Sequence, residues 1–336
     1  MTGGRSAGGN RVFLADIGGT NARFALMRDG ETGHIEHMRV ADFPAATNAI
    51  EAFLAQHTAK GQIAAAVLGV AGPVENNLSI ITNSGWTVDG NDLRKHFGFG
   101  VVHLLNDFEA LAWSLPELRG EDLVACGRQQ ATPGAPKLAL GPGTGFGAAC
   151  LFSREGMPLA AVTEAGHATL PATSEREERV IGHLRQRFAH VSIERVLSGS
   201  GFVNLYTALA AVDGITAPHR DPAAITDAAL DGSCGLCRAA LDMFCSLLGD
   251  VAGDLALTFC ARGGVYIAGG IVPRFADHLA RSSFRARFER KGRYESYLRN
   301  IPTWIIVRRD ASFVGLKAFF EKGMVASREP AIRTDP

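Results

Sequence analysis

Two glycine-rich turns limit what this chain can fold into more than any other feature. The first, Asp16-Ile-Gly-Gly-Thr-Asn21, lies between the apolar runs Val12–Asp16 and Ala22–Met27. The second, Gly141-Pro-Gly-Thr-Gly-Phe-Gly147, lies between Lys137–Leu140 and Ala148–Phe152. An apolar run, a glycine turn and a second apolar run predict a β-hairpin. Glycine in such a turn lets backbone N–H groups approach an anion closely, and Thr20 and Thr144 add a hydroxyl beside each backbone. The turns therefore read either as plain tight hairpins or as hairpins that bind phosphate. Two common phosphate loops are excluded. A Walker loop needs Gly-Lys followed by Ser or Thr, which neither turn has. A dinucleotide fingerprint needs a helix directly after its glycines, whereas the Ala-Ala-Cys-Leu-Phe that follows Gly147 reads as a strand.

Around these turns, strand-like and helix-like segments alternate, which makes the fold class α/β. Strands are expected at Ile35–Val40, Ile63–Val70, Val101–Leu105, Leu159–Val162, Val265–Ala268 and Trp304–Val307. Helices are expected at Thr47–His57 with Thr47 as cap, then at Phe108–Leu115, Ser174–Phe188, Gly201–Ala211, Gly235–Cys260 and Ser312–Glu321. Polar sequence rich in Gly and Pro over Arg119–Pro136 predicts a domain boundary close to residue 118. Each half opens with a glycine-turned hairpin, the pattern of a duplicated domain.

Composition narrows the partners. The 336 residues are 46% hydrophobic and 20% charged, the profile of an ordered chain large enough for two domains. Lys and Arg together number 34, as do Asp and Glu, with no basic block. Nucleic acid and anionic membrane are therefore not expected partners. No apolar run reaches the roughly 20 residues of a membrane helix. Met1–Asn10 lacks the apolar core of a signal peptide and reads as a disordered lead. The six cysteines fit reduced thiols in a cytoplasm. Cys234-Gly-Leu-Cys237 has half the spacing of a zinc site, but no second pair follows at the usual distance, so it reads as structural. The Arg281–Arg293 run, mixed with Glu289 and aromatics, reads as a solvated helical face.

The segment Leu14-Ala-Asp-Ile-Gly-Gly-Thr-Asn-Ala-Arg-Phe24 resembles the first phosphate loop of the actin, hexokinase and Hsp70 superfamily, and its Asn-Ala-Arg ending is similar to that of the bacterial glucokinases. Gly141–Gly147 resembles the second phosphate loop, and Val265-Tyr-Ile-Ala-Gly-Gly-Ile-Val-Pro-Arg274 the adenosine-binding segment. The resemblance runs in family order from about residue 11 to about residue 320. It implies a two-domain actin-like ATPase (ribonuclease-H-like) fold with the active-site cleft between the domains. The small domain would comprise 11–117 plus 308–336 and the large one 118–307. It also implies ATP and Mg2+, with Asp16, Ile17, Gly18, Gly19, Thr20, Asn21, Gly143, Thr144, Gly145, Gly269 and Gly270 at the nucleotide. Asp16 would act on Mg2+ through water. As a turn carboxylate it would also satisfy nearby backbone N–H groups.

Phosphoryl transfer to an alcohol needs a carboxylate to take the hydroxyl proton. Asp107 ends a buried strand, where α/β sheets present their ligands. Read from local sequence alone it is a helix cap ahead of Phe108–Leu115, and the family resemblance reverses that reading. Leu104-Leu-Asn-Asp-Phe108 resembles the glucokinase segment whose Asp is the base, with Asn106 positioned for a second hydroxyl. Glu164-Ala-Gly-His167 resembles the family's Glu-Gly-Gly-His sugar clamp, from which Ala165 departs. Glu194 resembles the third sugar-binding carboxylate, against the alternative of a helix-surface acid paired with Arg195 or Arg187. The resemblance thus implies ATP-dependent phosphorylation of D-glucose to glucose 6-phosphate in a cytoplasmic enzyme, often a homodimer. Alternatives are fructose, mannose or N-acetylated amino sugars as acceptor, polyphosphate as donor, a sugar-sensing regulator, or an actin-like assembly protein. A regulator would carry an N-terminal helix-turn-helix, for which the residues before Arg11 leave no room. Repressor-type kinases of the superfamily carry a Cys-rich zinc motif after the sugar-binding His, and nothing like it follows His167. Where glucokinases have Asn-Pro-Gly-Leu-Leu-Gly, this chain has Asp310-Ala-Ser-Phe-Val-Gly315, with Asp310 expected to cap the last helix.

Overall fold

In the computed structural model of the chain, the first expected hairpin forms the middle of a sheet. Residues 11–57, 63–81, 84–127 and 130–324 are described; the expected lead at 1–10 lies outside them. The chain divides into two units, one within Met1–Glu117 and Asp310–Pro336, the other within Leu118–Arg309.

In the first unit, β1 (Arg11–Ile17) pairs antiparallel with β2 (Asn21–Arg28), which sets Asp16 opposite Arg23. The short strands β3 (Glu31–Thr32) and β4 (Glu36–Arg39) pair with the outer side of β2. The helix α1 (Ala46–His57) starts one residue before Thr47, so Thr47 lies inside the first turn and is not the cap. The N–H groups of Asn48 and Ala49 reach the Ala45 carbonyl instead. On the other side of β1, β5 (Ile63–Val70) and then β8 (Val101–Asn106) run parallel to it. The near-continuous apolar runs of β1 and β5 suit strands covered on both faces. Phe13, Phe24 and Phe53 meet in the core with ring centroids 5.6–5.8 Å apart. Between β5 and β8, the ribbon β6 (Leu78–Ile80) and β7 (Thr87–Asp89) leads into α2 (Gly90–Phe97), capped by Asp89. After β8 comes α3 (Asp107–Ser114).

The second unit repeats the plan. β9 (Leu123–Ala125), β10 (Lys137–Pro142), β11 (Phe146–Arg154), β12 (Met157–Thr163), β13 (Val265–Ile267) and β14 (Thr303–Ile306) form a sheet in the order β12-β11-β10-β13-β14-β9. Strands β10, β13 and β14 are parallel, and β10–β11 is the second glycine hairpin. Four helices pack beside this sheet: α4 (Glu175–Arg185), α5 (Gly199–Asp213), α6 (Pro222–Leu230) and α7 (Gly235–Thr258). Helix α6 had no counterpart in the sequence reading, although Asp221-Pro222 is a helix-start signal: the Asp221 carboxylate accepts from the Ala224 N–H.

The Arg281–Arg293 run is not a solvated face. It spans α8 (Ala276–Arg281) and α9 (Phe284–Glu289), with α10 (Glu295–Arg299) following, and both Phe284 and Phe288 are fully buried. Basic residues on one side of α9 are drawn inward by buried acids. Arg287 meets Glu177 Oε1 at 2.8 Å and both oxygens of Asp250 through Nε at 3.0–3.1 Å, and those acids are 3% and 1% exposed. The cluster ties α4, α7 and α9 together. The chain returns to the first unit at Asp310. Val307 and Arg308 still belong to the second unit, bonded to the Asp122 carbonyl at 2.9 Å and carboxylate at 3.1 Å. The last helix, α11 (Ala311–Ala318), packs on α3 and ends in a wider turn over Phe319–Gly323.

Burial alone would push the Glu177 carboxyl up, but hydrogen bonds from Arg287 and Thr173 outweigh it and hold it below its ordinary value. A depressed acid stabilises the fold above its unfolded-state value and loses that contribution as pH falls through the folded one. Wild-type stability should therefore decline below about pH 4.3. Arg287→Ala leaves two buried acids uncompensated and should cost about 3–5 kcal/mol at neutral pH. Urea titrations of both proteins between neutral and acid pH check the size and the sign.

Candidate active site

In the first unit the site is built at one edge of the parallel strands. Ile17 is in register with Val70, and Val70 with Asn106. The Ala71 N–H bonds the Ile17 carbonyl at 2.9 Å, so the connections after β1, β5 and β8 leave from the same carboxyl edge. That edge is where α/β sheets bind ligands. The first glycine turn closes with the Gly18 N–H on the Asn21 carbonyl at 2.9 Å and carries Thr20 and Asn21 exposed at its tip. The Ile17 side chain is fully buried, so at this loop it belongs to the core and only its backbone faces the turn.

Asp16 is 7% exposed, and its Oδ2 receives Arg23 at 2.5 Å and the Ser312 hydroxyl. Arg23 also lies 3.5 Å from Asp310. The expected cap at Asp310 is corrected here. Asp310 stands at the N-cap position, but its side chain makes no capping bond, and the Phe313 N–H goes to the Asp310 carbonyl. The carboxylate is turned toward Arg23 instead. The altered helix start thus supplies Ser312 to Asp16, a role sequence reasoning did not single out.

The junction of β8 and α3 separates the two readings of Asp107. Asn106 is the cap: its Oδ1 accepts from the N–H groups of Phe108 at 2.9 Å and Glu109 at 3.3 Å, and its Nδ2 donates to the Gly72 carbonyl at 3.1 Å. Asp107 is the first residue of the helix, half-buried, with Oδ1 accepting from the Phe108 N–H at 2.9 Å. Its carboxylate stands at the positive end of the helix dipole, which favours an anion there.

In the second unit the glycine turn and the expected sugar clamp are one construction. The Gly143 N–H bonds the Gly145 carbonyl at 2.8 Å, leaving Thr144 exposed at the tip, and the Gly199 N–H bonds the Gly143 carbonyl at 3.0 Å. Glu194 lies in the loop before α5, not on a helix surface. Its Oε2 accepts from the Phe146 N–H at 2.9 Å, and its own N–H bonds the Gly166 carbonyl at 2.9 Å. A Cβ on Gly145 would sit 2.3 Å from Glu194 Oε2, so a side chain there would displace this carboxylate from its place. Gly166 belongs to the short helical turn Ala165–His167, which sets Glu164 and His167 exposed with Oε2 and Nε2 3.9 Å apart. Ala165 is absent from the positions with positive φ, so its methyl group fits the turn without strain. Gly269 follows β13 at φ +100°, where a Cβ would lie 2.0 Å from the Pro142 carbonyl oxygen. The Val265–Arg274 segment is thereby pressed against the second glycine turn.

A glucokinase family model matches residues 13–323. The chain belongs to the glucokinase family. It is 45% identical over 307 residues to the glucokinase of Paramagnetospirillum magneticum, covering 91% of this chain and 96% of that one. It is similar to the crystal structure of a glucokinase from an Antarctic psychrotroph, with TM-score 0.83 and 36% identity over 93% of this chain and 99% of the other. A ROK-family glucokinase from Streptomyces griseus, solved with glucose and AMPPNP, shares the fold at TM-score 0.62 and 19% identity, over 92% of this chain and 98% of that one. The architecture is accordingly the two-domain actin-like fold that the family resemblance implies. Among the described residues, no helix is long and apolar enough to cross a membrane.

Gly269 and Gly270 make a paired test of the second turn. Gly269→Ala requires a left-handed backbone and a clash with Pro142, and should destabilise the protein by more than about 1 kcal/mol. Gly270→Ala meets nothing within 4 Å and should change stability little. Urea titration of the two variants checks the contrast.

Proposed function

We propose that this glucokinase-family chain transfers the γ-phosphoryl group of Mg-ATP to the 6-hydroxyl of D-glucose, with Asp107 as the base. The observation that carries the reading is the half-buried Asp107 carboxylate at the start of α3, on the strand edge that also carries the first glycine turn. Asp107 takes the hydroxyl proton as the sugar oxygen attacks phosphorus; the new O–P bond forms, the bond to the β-phosphate oxygen breaks, and ADP leaves. The glycine turns Gly18–Asn21 and Gly143–Gly145 face the phosphates, with the Gly18 and Gly143 N–H groups closing the turns, and Gly269 and Gly270 face the adenosine. Asn106 holds the cap that orients Asp107 and offers its amide to a second hydroxyl. Glu164 and His167, 3.9 Å apart, grip neighbouring sugar hydroxyls, one accepting and one donating. Glu194 takes the anomeric end. Mg2+ arrives with ATP as part of the substrate. An outer-sphere role suits Asp16, whose Oδ2 already serves two protein donors.

The proposed working form is a cytoplasmic homodimer. The outer strand β12 supports pairing of copies, with Leu159 62% exposed and Met157 45% exposed on an open sheet edge. Sedimentation equilibrium reads that state directly, and a monomer at micromolar concentration rules it out.

ADP release across a panel of hexoses, with ATP or polyphosphate as donor, tests the chemistry. Glucose with ATP should turn over, and Asp107→Ala should lower kcat by at least about 100-fold while leaving glucose binding measurable. Absence of turnover with glucose, or near-normal kcat in Asp107→Ala, ends this reading.

A further inference from the structure

One side-chain cluster in the second unit has chemistry that sugar phosphorylation does not use. His219 lies in the connection between α5 and α6, Cys234 is the N-cap residue of α7, and Cys237 sits in the first turn of that helix. The imidazole and the two sulfur atoms all lie within 4.8 Å of one another, with Cys237 buried and the other two half-buried. The Cys234–Cys237 spacing, by itself half a zinc motif, gains a third donor from a residue 15 positions upstream of Cys234. A second observation points into the same place. Tyr206 on α5 is fully buried; its hydroxyl lies beside Cys237 and the His219 backbone without a well-formed hydrogen bond to either. The Tyr206 and His219 rings are 6.1 Å apart. A buried phenol left without a good partner is uncommon and calls for an explanation.

We propose that His219, Cys234 and Cys237 bind one zinc-class divalent ion, with the Tyr206 phenol oxygen at the fourth position. Bonds of about 2.3 Å to sulfur and about 2.0 Å to nitrogen place tetrahedral donors about 3.4–3.8 Å apart, so rotations that bring the atoms together by about 1 Å complete the site. Binding displaces the two thiol protons to solvent, and the two thiolates balance the charge of the ion. The ion is a structural clamp. It joins α5, the 214–221 connection and the start of α7, three segments that share one apolar cluster. The site differs in place and donors from a Cys-rich motif following the sugar-binding His, since its ligands come from the helical layer well beyond His167.

The experiment uses the full chain, purified under reducing conditions and exposed to Zn2+ alone, then desalted and assayed by elemental analysis. The expected result is about one zinc per chain, reduced at least about tenfold in Cys234→Ser and in His219→Ala. Sugar phosphorylation should stay within about twofold of wild type in both variants. Removing the ion with a chelator should lower Tm by several degrees and readdition restore it, and Tyr206→Phe should weaken Zn2+ in chelator competition by about 10–100-fold. If Cys234→Ser does not fold, Co2+ added to the metal-free wild type serves instead: a thiolate-to-metal absorption band supports the site. Zinc-free wild type after Zn2+ exposure overturns the proposal, as does zinc retained by both variants. A Cys234–Cys237 disulfide in a wild type that takes up no zinc overturns it in favour of a redox pair.

Discussion

The bond from the Phe146 N–H to the Glu194 carboxylate organises the candidate site residues of the second unit. It joins the exit of the glycine turn to the loop before α5, and the Glu194 N–H extends the connection to the turn that carries Glu164 and His167. Gly145 is part of the same constraint, because any side chain there would occupy the space of the carboxylate. The second glycine turn and the turn of Glu164 and His167 thus share one hydrogen-bonded frame. Glu194 uses one oxygen in that frame, so its position is set before any ligand arrives. Preorganisation of this kind lowers the ordering cost of binding.

The first unit solves the matching problem with a different device. Parallel register of β1, β5 and β8 brings three connections to one edge, and Asn106 caps α3 so that its neighbour Asp107 begins the helix. Asp16 is fixed by a cation from the facing strand and a hydroxyl from α11, far away in the sequence. The departure from the family pattern at Asp310–Ser312 is therefore tied into the first glycine hairpin, through Ser312 to Asp16 and through Asp310 to Arg23.

Much of this was legible in the chain. Both hairpins, the buried strand Ile63–Val70 and the long α7 follow from apolar runs and glycine turns, because those patterns act over a few residues. Helix ends were less legible. Thr47, Asp107 and Asp310 each have a side chain suited to capping, and in none of them does it cap. Ala45, Asn106 and the Asp310 backbone serve those helix starts instead. A cap depends on the φ and ψ of the residue before the helix, which the incoming strand or loop sets. The Arg281–Arg293 run failed for another reason: Glu177 and Asp250, more than 30 positions upstream of Arg287, draw it inward.

By itself the sequence determined the α/β class, the two glycine hairpins and the order of the family motifs, since turn chemistry and strand alternation are local properties of the chain. Tertiary structure alone decided which of the two carboxyl-edge residues caps α3, that Glu194 is a loop acid bonded to the second glycine turn, that Ser312 reaches Asp16, and that His219 joins the Cys234–Cys237 pair. Each of these rests on partners brought together by strand register or helix packing, and no local pattern encodes the position of a partner tens or hundreds of residues away.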